Sequence, residues 1–260
     1  MACWDGKREL FKNQLKKDGA MKENWIIYNK SSERMIEVES NSVDIIITSI
    51  PFNVGLIFGE YHDKNSLSQY SKVMKNVMAE CSRVLNRNGV AIIEAADVIV
   101  CDGYFVQLAG LIQSFCIESG LFLGARHIDF MDASDYIENP IGEFGKYFNL
   151  VGADGNHSNC LQWLIFKKES CDFKNGEIYY SKYPDHRMEQ LTERHPCPFP
   201  QEIIDKFLML SNFKKGDTVL DPFMGTAKLG CHVLRRGGRY IGYEIDKKIY
   251  DYAVRQLKSL

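Results

Sequence analysis

The run Gly216-Asp217-Thr218-Val219-Leu220-Asp221-Pro222-Phe223-Met224-Gly225-Thr226 sets the architecture of this chain. It reads as a short strand, Thr218–Leu220, ending on a carboxylate, then a tight turn containing glycine, then a helix. That order builds a ligand site at the carboxyl end of a parallel strand. A second strand, Tyr240–Glu244, also ends on an acid, where a carboxylate can accept hydrogen bonds from both hydroxyls of a ribose. Two strand-end acids, Asp221 and Glu244, suit a nucleoside carrying a cationic sulfonium. A dinucleotide suits them less, because Asp221 would repel a pyrophosphate and the G-x-G-x-x-G run is absent.

On either side of this run, short apolar, β-branched runs alternate with helix-like stretches, the pattern of a doubly wound α/β sheet with mostly parallel strands. Strands are predicted at Trp25–Tyr28, Val43–Thr48, Val90–Glu94, His127–Met131 and Leu161–Lys167 in addition to the two above. Helices are predicted over Leu67–Leu85, stopped by Asn86-Arg87-Asn88-Gly89, over Asp102–Ser119, closed by Gly120, and over Pro200–Ser211, which opens on a proline suited to a first helical turn. The stretch Asp132–Asn159 has no period and is rich in Gly, Asn, Asp and aromatics, so it is the expected substrate-contact insert. Residues 170–194 read as a polar, tyrosine-bearing connector between the two halves of a single domain spanning 1–260.

The composition narrows the class. With 260 residues, 45% apolar and 25% charged, the chain can bury one full core. Neither an apolar run of membrane length nor a signal-peptide core is present, so a cytoplasmic protein is expected. Eight cysteines without C-x-x-C spacing imply reduced, buried thiols and no metal site. The net charge of −2 excludes a strongly basic body; basic residues cluster only at Lys167-Lys168, Lys214-Lys215 and Arg235-Arg236 with Arg239, enough for a short contact strip.

The other chemical signal is Asp44-Ile45-Ile46-Ile47-Thr48-Ser49-Ile50-Pro51-Phe52-Asn53, a buried strand running into a polar, proline and aromatic tip. An amino group on a nucleobase is a poor nucleophile because its lone pair is delocalised into the ring. A side-chain acceptor, Ser49, and a backbone carbonyl, that of Ile50, can take its two N–H groups and favour a pyramidal nitrogen. Pro51 would stiffen the turn, and Phe52 would stack on a base taken out of its helix.

Together these segments resemble the N6-adenine/N4-cytosine DNA methyltransferase family in its permuted order, catalytic half before cofactor half, over about residues 25–255. Ser49-Ile50-Pro51-Phe52 matches the family's catalytic tetrad at three positions. Arg83 to Val90 resembles its helix-to-strand turn, and Leu164-Ile165-Phe166-Lys167 a late sheet strand. His195-Pro196-Cys197-Pro198-Phe199-Pro200 is similar to the segment that covers the methionine end of the cofactor, Asp221 to Gly225 to the cofactor loop, and Glu244 to the ribose acid.

The resemblance implies a Rossmann-like methyltransferase fold, S-adenosyl-L-methionine as cofactor and DNA as partner, with catalytic residues Ser49, Ile50, Pro51 and Phe52. It places the cofactor against Asp221, Pro222, Phe223, Gly225, Thr226, Glu244, Pro198, Phe199, Asn29 and Lys30. Three departures bear on this. Ile50 replaces a proline and loosens the turn; Asn29-Lys30-Ser31 stands where a Gly-Asp pair meets the adenine, and Lys30 cannot accept its hydrogen bond; Thr226-Ala227-Lys228 replaces a Gly- and Thr-rich continuation.

A serine at the first tetrad position leans toward cytosine N4 over adenine N6. Target contact falls to Val54–Ser66 and Asp132–Asn159, which fits a short recognition site or a homodimer. Two other readings stay open: a methyltransferase for a non-DNA amino or amide group, and a catalytically silent DNA-binding or partner subunit with the same fold.

Overall fold

The computed structural model describes residues 19–58, 61–130, 160–169, 177–182 and 201–260. The expected insert at 132–159, and the cofactor-covering residues Pro198 and Phe199, lie outside the described residues.

Among the described residues a nine-stranded sheet organises the fold. The first strands are β1 (Gly19–Met21), β2 (Trp25–Tyr28) and β3 (Val43–Ser49), followed by a small hairpin of β4 (Ile57–Phe58) and β5 (Tyr61–His62). Helix α1 (Leu67–Val84) leads into β6 (Leu85–Ala96), a second hairpin of β7 (Val98–Cys101) and β8 (Tyr104–Gln107), and α2 (Leu108–Glu118). Strands β9 (Phe122–Phe130), β10 (Cys160–Lys167) and β11 (Glu177–Lys182) complete that half. The C-terminal half contributes α3 (Gln201–Leu210), β12 (Thr218–Asp221), α4 (Lys228–Arg235), β13 (Arg239–Tyr243) and α5 (Lys247–Lys258).

The sheet order is β1-β2-β13-β12-β3-β6-β10-β9-β11. From β2 to β6 all neighbours pair in parallel; β10 runs against both β6 and β9. The last two strands of the chain therefore slot between β2 and β3, near its beginning. This brings the carboxyl ends of β12 and β3 side by side, at a crossover where open α/β sheets bind ligands.

Both sheet faces are covered, which is why the central strands are apolar on both sides rather than alternating. One face packs Ile46, Leu220 and Ile93 with α1 and α2 residues such as Met74, Val77 and Ile112. The other packs Ile45, Ile47, Val219 and Trp163 with Phe207 of α3, Leu229 of α4 and Tyr250 of α5. Helix α1 forms as its apolar spacing predicts, and Ser66 and Gln69 close a capping box at its start.

Three sequence expectations need correction. The helix expected over Asp102–Ser119 starts only at Leu108, because Tyr104–Gln107 pairs back on Val98–Cys101 as a hairpin. Asp102 and Gly103 sit at its turn with φ of 52° and 81°, a conformation an Asp-Gly pair tolerates. The expected stop at Asn86–Gly89 is no separate turn: strand β6 begins at Leu85, and the extra residues appear as a shift in its register with β3, Val43 facing Leu85 but Ile45 facing Val90. Residues 177–182, read as connector, form the strand β11 beside β9.

Candidate active site

Asp221 ends β12 fully buried, 1% exposed, between β13 and β3. Its Oδ1 accepts hydrogen bonds from the Thr48 hydroxyl at 2.7 Å and the Phe223 amide at 3.1 Å. Burial pushes its carboxyl up to about 7, against the pull of those two donors. Pro222 and Gly225 are buried and Phe223 and Thr226 half-buried in the loop that follows. Gly225 has a φ of 51°, and Met224 N donates to Tyr243 O at 2.9 Å, which ties the loop to the end of β13. Ala227 also takes a left-handed φ, 59°, at the start of α4, so the Thr226-Ala227-Lys228 departure coincides with a strained backbone position.

Glu244 is the first residue beyond β13. Its carboxylate accepts from the amides of Asp246, at 2.8 Å, and Gly225, so it spans from its own turn to the β12 loop. Burial raises it to about 7, with those amides opposing the rise. Two acids held by backbone N–H groups at adjacent strand ends, each costly to ionise when the site is bare, form a donor set that fits a cation bearing two hydroxyls.

Asn29 and Lys30 follow β2 on the same edge. Asn29 Nδ2 donates to the carbonyls of Glu244 at 2.9 Å and Ile245 at 3.1 Å, fastening β2 to the Glu244 turn. Lys30 pairs with Glu37, whose other oxygen accepts from the Tyr243 hydroxyl at 3.3 Å. Tyr243 in turn stacks on Tyr28 with ring centroids 4.9 Å apart.

The catalytic candidates stand one strand away. Ser49 is the last residue of β3, half-buried. Ile50 is 3% exposed in the apolar core, and its amide donates to Glu94 O at 3.3 Å. The Pro51 carbonyl accepts from the Tyr70 hydroxyl at 2.8 Å, and Phe52 is half-buried against the same core. The turn that Ile50 was expected to loosen is thus held from both sides by hydrogen bonds.

Sequence reasoning missed Glu94. It faces Ser49 across the β3–β6 ladder, is 4% exposed, and its carboxyl hydrogen-bonds the Ser49 side chain. Its Oε1 is buried without a hydrogen-bond partner among the described residues. Burial, reinforced by the charge of Asp129, pushes it up to about 8, and the Ser49 bond opposes this. The available signal was one acid inside the apolar run Val90-Ala91-Ile92-Ile93-Glu94-Ala95-Ala96.

The same rung of the sheet continues through Trp163, which pairs with Glu94, to His127, which pairs with Trp163. Asp129, 0% exposed, gathers His127 Nε2 at 2.7 Å, Trp163 Nε1 at 3.0 Å and Lys206 Nζ at 3.5 Å from α3. This buried polar network lies beneath α3 and locks β9 and β10 behind the site.

A sheet of this order, with a buried and a half-buried acid at adjacent strand ends and a glycine loop between them, defines a Rossmann-like methyltransferase. A family model described as DNA methylase, of the N6/N4 methyltransferase type, matches residues 43–140 and 145–255. The chain belongs to this family, whose cofactor is S-adenosyl-L-methionine. It is 24% identical over 257 residues to the type II methyltransferase M.BglII of Bacillus subtilis, covering 90% of this chain and 69% of that protein. Among solved structures, it resembles the Thermus thermophilus protein TTHA0409 complexed with S-adenosyl-L-methionine, at a TM-score of 0.59 and 19% identity over 90% and 95% of the two chains. It also resembles the cytosine-N4-specific PvuII DNA methyltransferase, at 0.60 and 17% over 91% and 94%. Among the described residues no helix is long and apolar enough to cross a membrane, and no group of three His, Cys, Asp or Glu could hold a metal ion.

Proposed function

We propose that this chain methylates the exocyclic amino nitrogen of a DNA base turned out of its helix, with cytosine N4 favoured over adenine N6. One observation carries this reading. Thr48, which bonds Asp221 at 2.7 Å, is chain neighbour to Ser49, which bonds Glu94. A candidate cofactor acid and a candidate amino-group acceptor are therefore joined through one residue pair at the crossover of the sheet.

When bound, S-adenosyl-L-methionine supplies an electrophilic methyl group on a sulfonium. Asp221, Pro222, Phe223, Gly225, Thr226 and Glu244 would hold it, with Pro198 and Phe199 assigned to the same site by resemblance. Asn29 keeps the Glu244 turn in place and Lys30 keeps Glu37 in place.

At the base, Ser49 accepts one amino N–H, the Ile50 carbonyl the other, and Phe52 supplies the stacking face. Transfer leaves the nitrogen with a bond too many, so it must lose a proton. Ser49, backed by the Glu94 carboxyl, offers a relay of protein groups for that proton. The serine at the first position of the tetrad is what favours N4. The site of action is the compartment that holds the DNA, the cytoplasm in a bacterium.

The test is to incubate the protein with unmethylated genomic DNA and isotope-labelled cofactor, digest to nucleosides, and weigh the products. Label in N4-methylcytosine is expected; label in N6-methyladenine would reverse the base preference, and label in neither would sink the DNA-enzyme reading.

A further inference from the structure

Immediately after Phe52 the backbone is held by a carboxylate to which the proposed reaction assigns no role. Asn53 takes a left-handed φ of 63°, and its amide points at Asp63, lying 2.9 Å from Oδ1 and 2.8 Å from Oδ2. The next amide, of Val54, reaches Oδ2 at 3.3 Å. Asp63 is 0% exposed and makes no ion pair among the described residues, so the amides of the turn are its main compensation for leaving water. The Asn53 side chain completes the knot: Nδ2 donates to Asn65 O at 2.8 Å and lies 3.2 Å from Cys101 Sγ, while Oδ1 accepts from Asn65 N at 2.7 Å.

The backbone closes the same neck. Gly55 N donates to Asp63 O at 2.6 Å and Asp63 N to Leu56 O at 3.0 Å, so the chain leaves the catalytic turn, forms the β4–β5 hairpin and returns to the point of departure. A buried carboxylate without a cation is a costly way to close a surface hairpin, for which an apolar residue would serve. The amide it holds, that of Asn53, lies one residue past the stacking face and three past Ile50, which puts the hydrogen bonds on the turn that lacks a second proline.

We propose that Asp63 is a positioning residue that fixes the Ser49–Phe52 turn through the Asn53 and Val54 amides, supplying by hydrogen bonding the rigidity that a proline at position 50 would give. This rests on the reading of Ser49–Phe52 as the base-facing turn. Asp63 touches no reacting atom; it acts through Asn53. Its effect should fall on the rate of transfer and leave the cofactor acids, Asp221 on the neighbouring strand β12 and Glu244 just beyond β13, undisturbed.

The test compares wild type with Asp63→Asn, which keeps the shape but loses the charge and turns an NH2 group toward the Asn53 amide. Three quantities are measured: the transfer rate on genomic DNA at saturating DNA and cofactor, the cofactor dissociation constant by calorimetry, and hydrogen exchange across residues 49–56 and β12. The expected result is a rate lower by about 10- to 100-fold with cofactor affinity within about twofold, because misplacing a positioned group slows chemistry more than remote binding. Exchange at 53–56 rises while that of β12 stays. Should Asp63→Asn fail to fold, Tyr70→Phe, which removes the hydroxyl from the Pro51 carbonyl, is expected to give a smaller rate loss with the same pattern.

A rate within twofold of wild type, unchanged exchange at 53–56, or equal losses of rate, cofactor affinity and β12 protection would each overturn the proposal. If wild type transfers no methyl group to DNA, the base-facing reading fails, and the exchange measurement alone decides whether Asp63 clasps the turn.

Discussion

Replacing Glu94 by Gln tests how the proposed amino-group acceptor is set. A serine hydroxyl has one proton to donate and two lone pairs to accept with. When Glu94 is ionised it takes the Ser49 proton, and both lone pairs are left for the base. When Glu94 is protonated it can donate to Ser49 instead, filling a lone pair and turning the serine proton toward an amino group that is itself a donor. Because burial holds Glu94 at about 8, the ionised form grows as pH rises through neutrality. Wild-type transfer should climb about tenfold per pH unit below that value and level off above it, as expected for one titrating group.

In Glu94→Gln the carbonyl can still accept from Ser49, but as a neutral bond. Charged hydrogen bonds are worth about 1 to 2 kcal/mol more than neutral ones, so the plateau rate should fall about 5- to 30-fold and the alkaline rise should vanish. Cofactor affinity should hold within about threefold. The variant should also melt higher than wild type at pH 9, where the native carboxylate is ionised in a buried site. Transfer rates from pH 6 to 10 and scanning calorimetry read both effects; a variant that keeps the wild-type rate and its pH rise would refute the coupling.

Three further outcomes are expected. Ser49→Ala should lower transfer at least 100-fold while leaving the cofactor dissociation constant nearly unchanged, whereas Asp221→Ala should weaken cofactor binding itself; equal cofactor loss in both would show the two halves misassigned. Asp63, Asp221 and Glu244 at about 7 and Glu94 at about 8 all sit above their values in an unfolded chain, so the native state binds more protons between roughly pH 4 and 8 and loses stability as pH rises through that window. The melting temperature without cofactor should therefore fall from pH 6 to pH 9, and a flat or rising profile would contradict the burial. Asp129→Ala removes the acceptor shared by the Trp163 indole, His127 and Lys206, at a cost of about 3 to 5 kcal/mol, read as a melting temperature lower by about 10 °C.

Much of the fold is legible because its signals are local. Strand β2 occurs where the sequence places it, and β3, β10 and β12 extend the predicted ranges by one residue each. A buried parallel strand needs a continuous apolar run, and such runs cannot hide in a polar chain. The acids Asp221 and Glu244 were visible because each breaks such a run at its end. The hairpin at 98–107 was not, since Phe105, Leu108 and Ile112 mimic a helical stripe, and only pairing with Val98–Cys101 decides for strand.

Read along the chain, the residues supply a set of parts: two strand-end acids, a glycine loop, a Ser-Ile-Pro-Phe tip, and the order in which they occur. Which of these parts meet is a property of the folded molecule. Thr48 and Asp221 are 173 residues apart and share a hydrogen bond because the last two strands insert between β2 and β3. Glu94 reaches Ser49 through the register of two neighbouring strands, and Asp63 reaches Asn53 because a hairpin returns to its own neck. Spacing along a chain specifies local periodicity, but the partner of a buried polar group is chosen by strand order and register, which depend on how the whole core is packed.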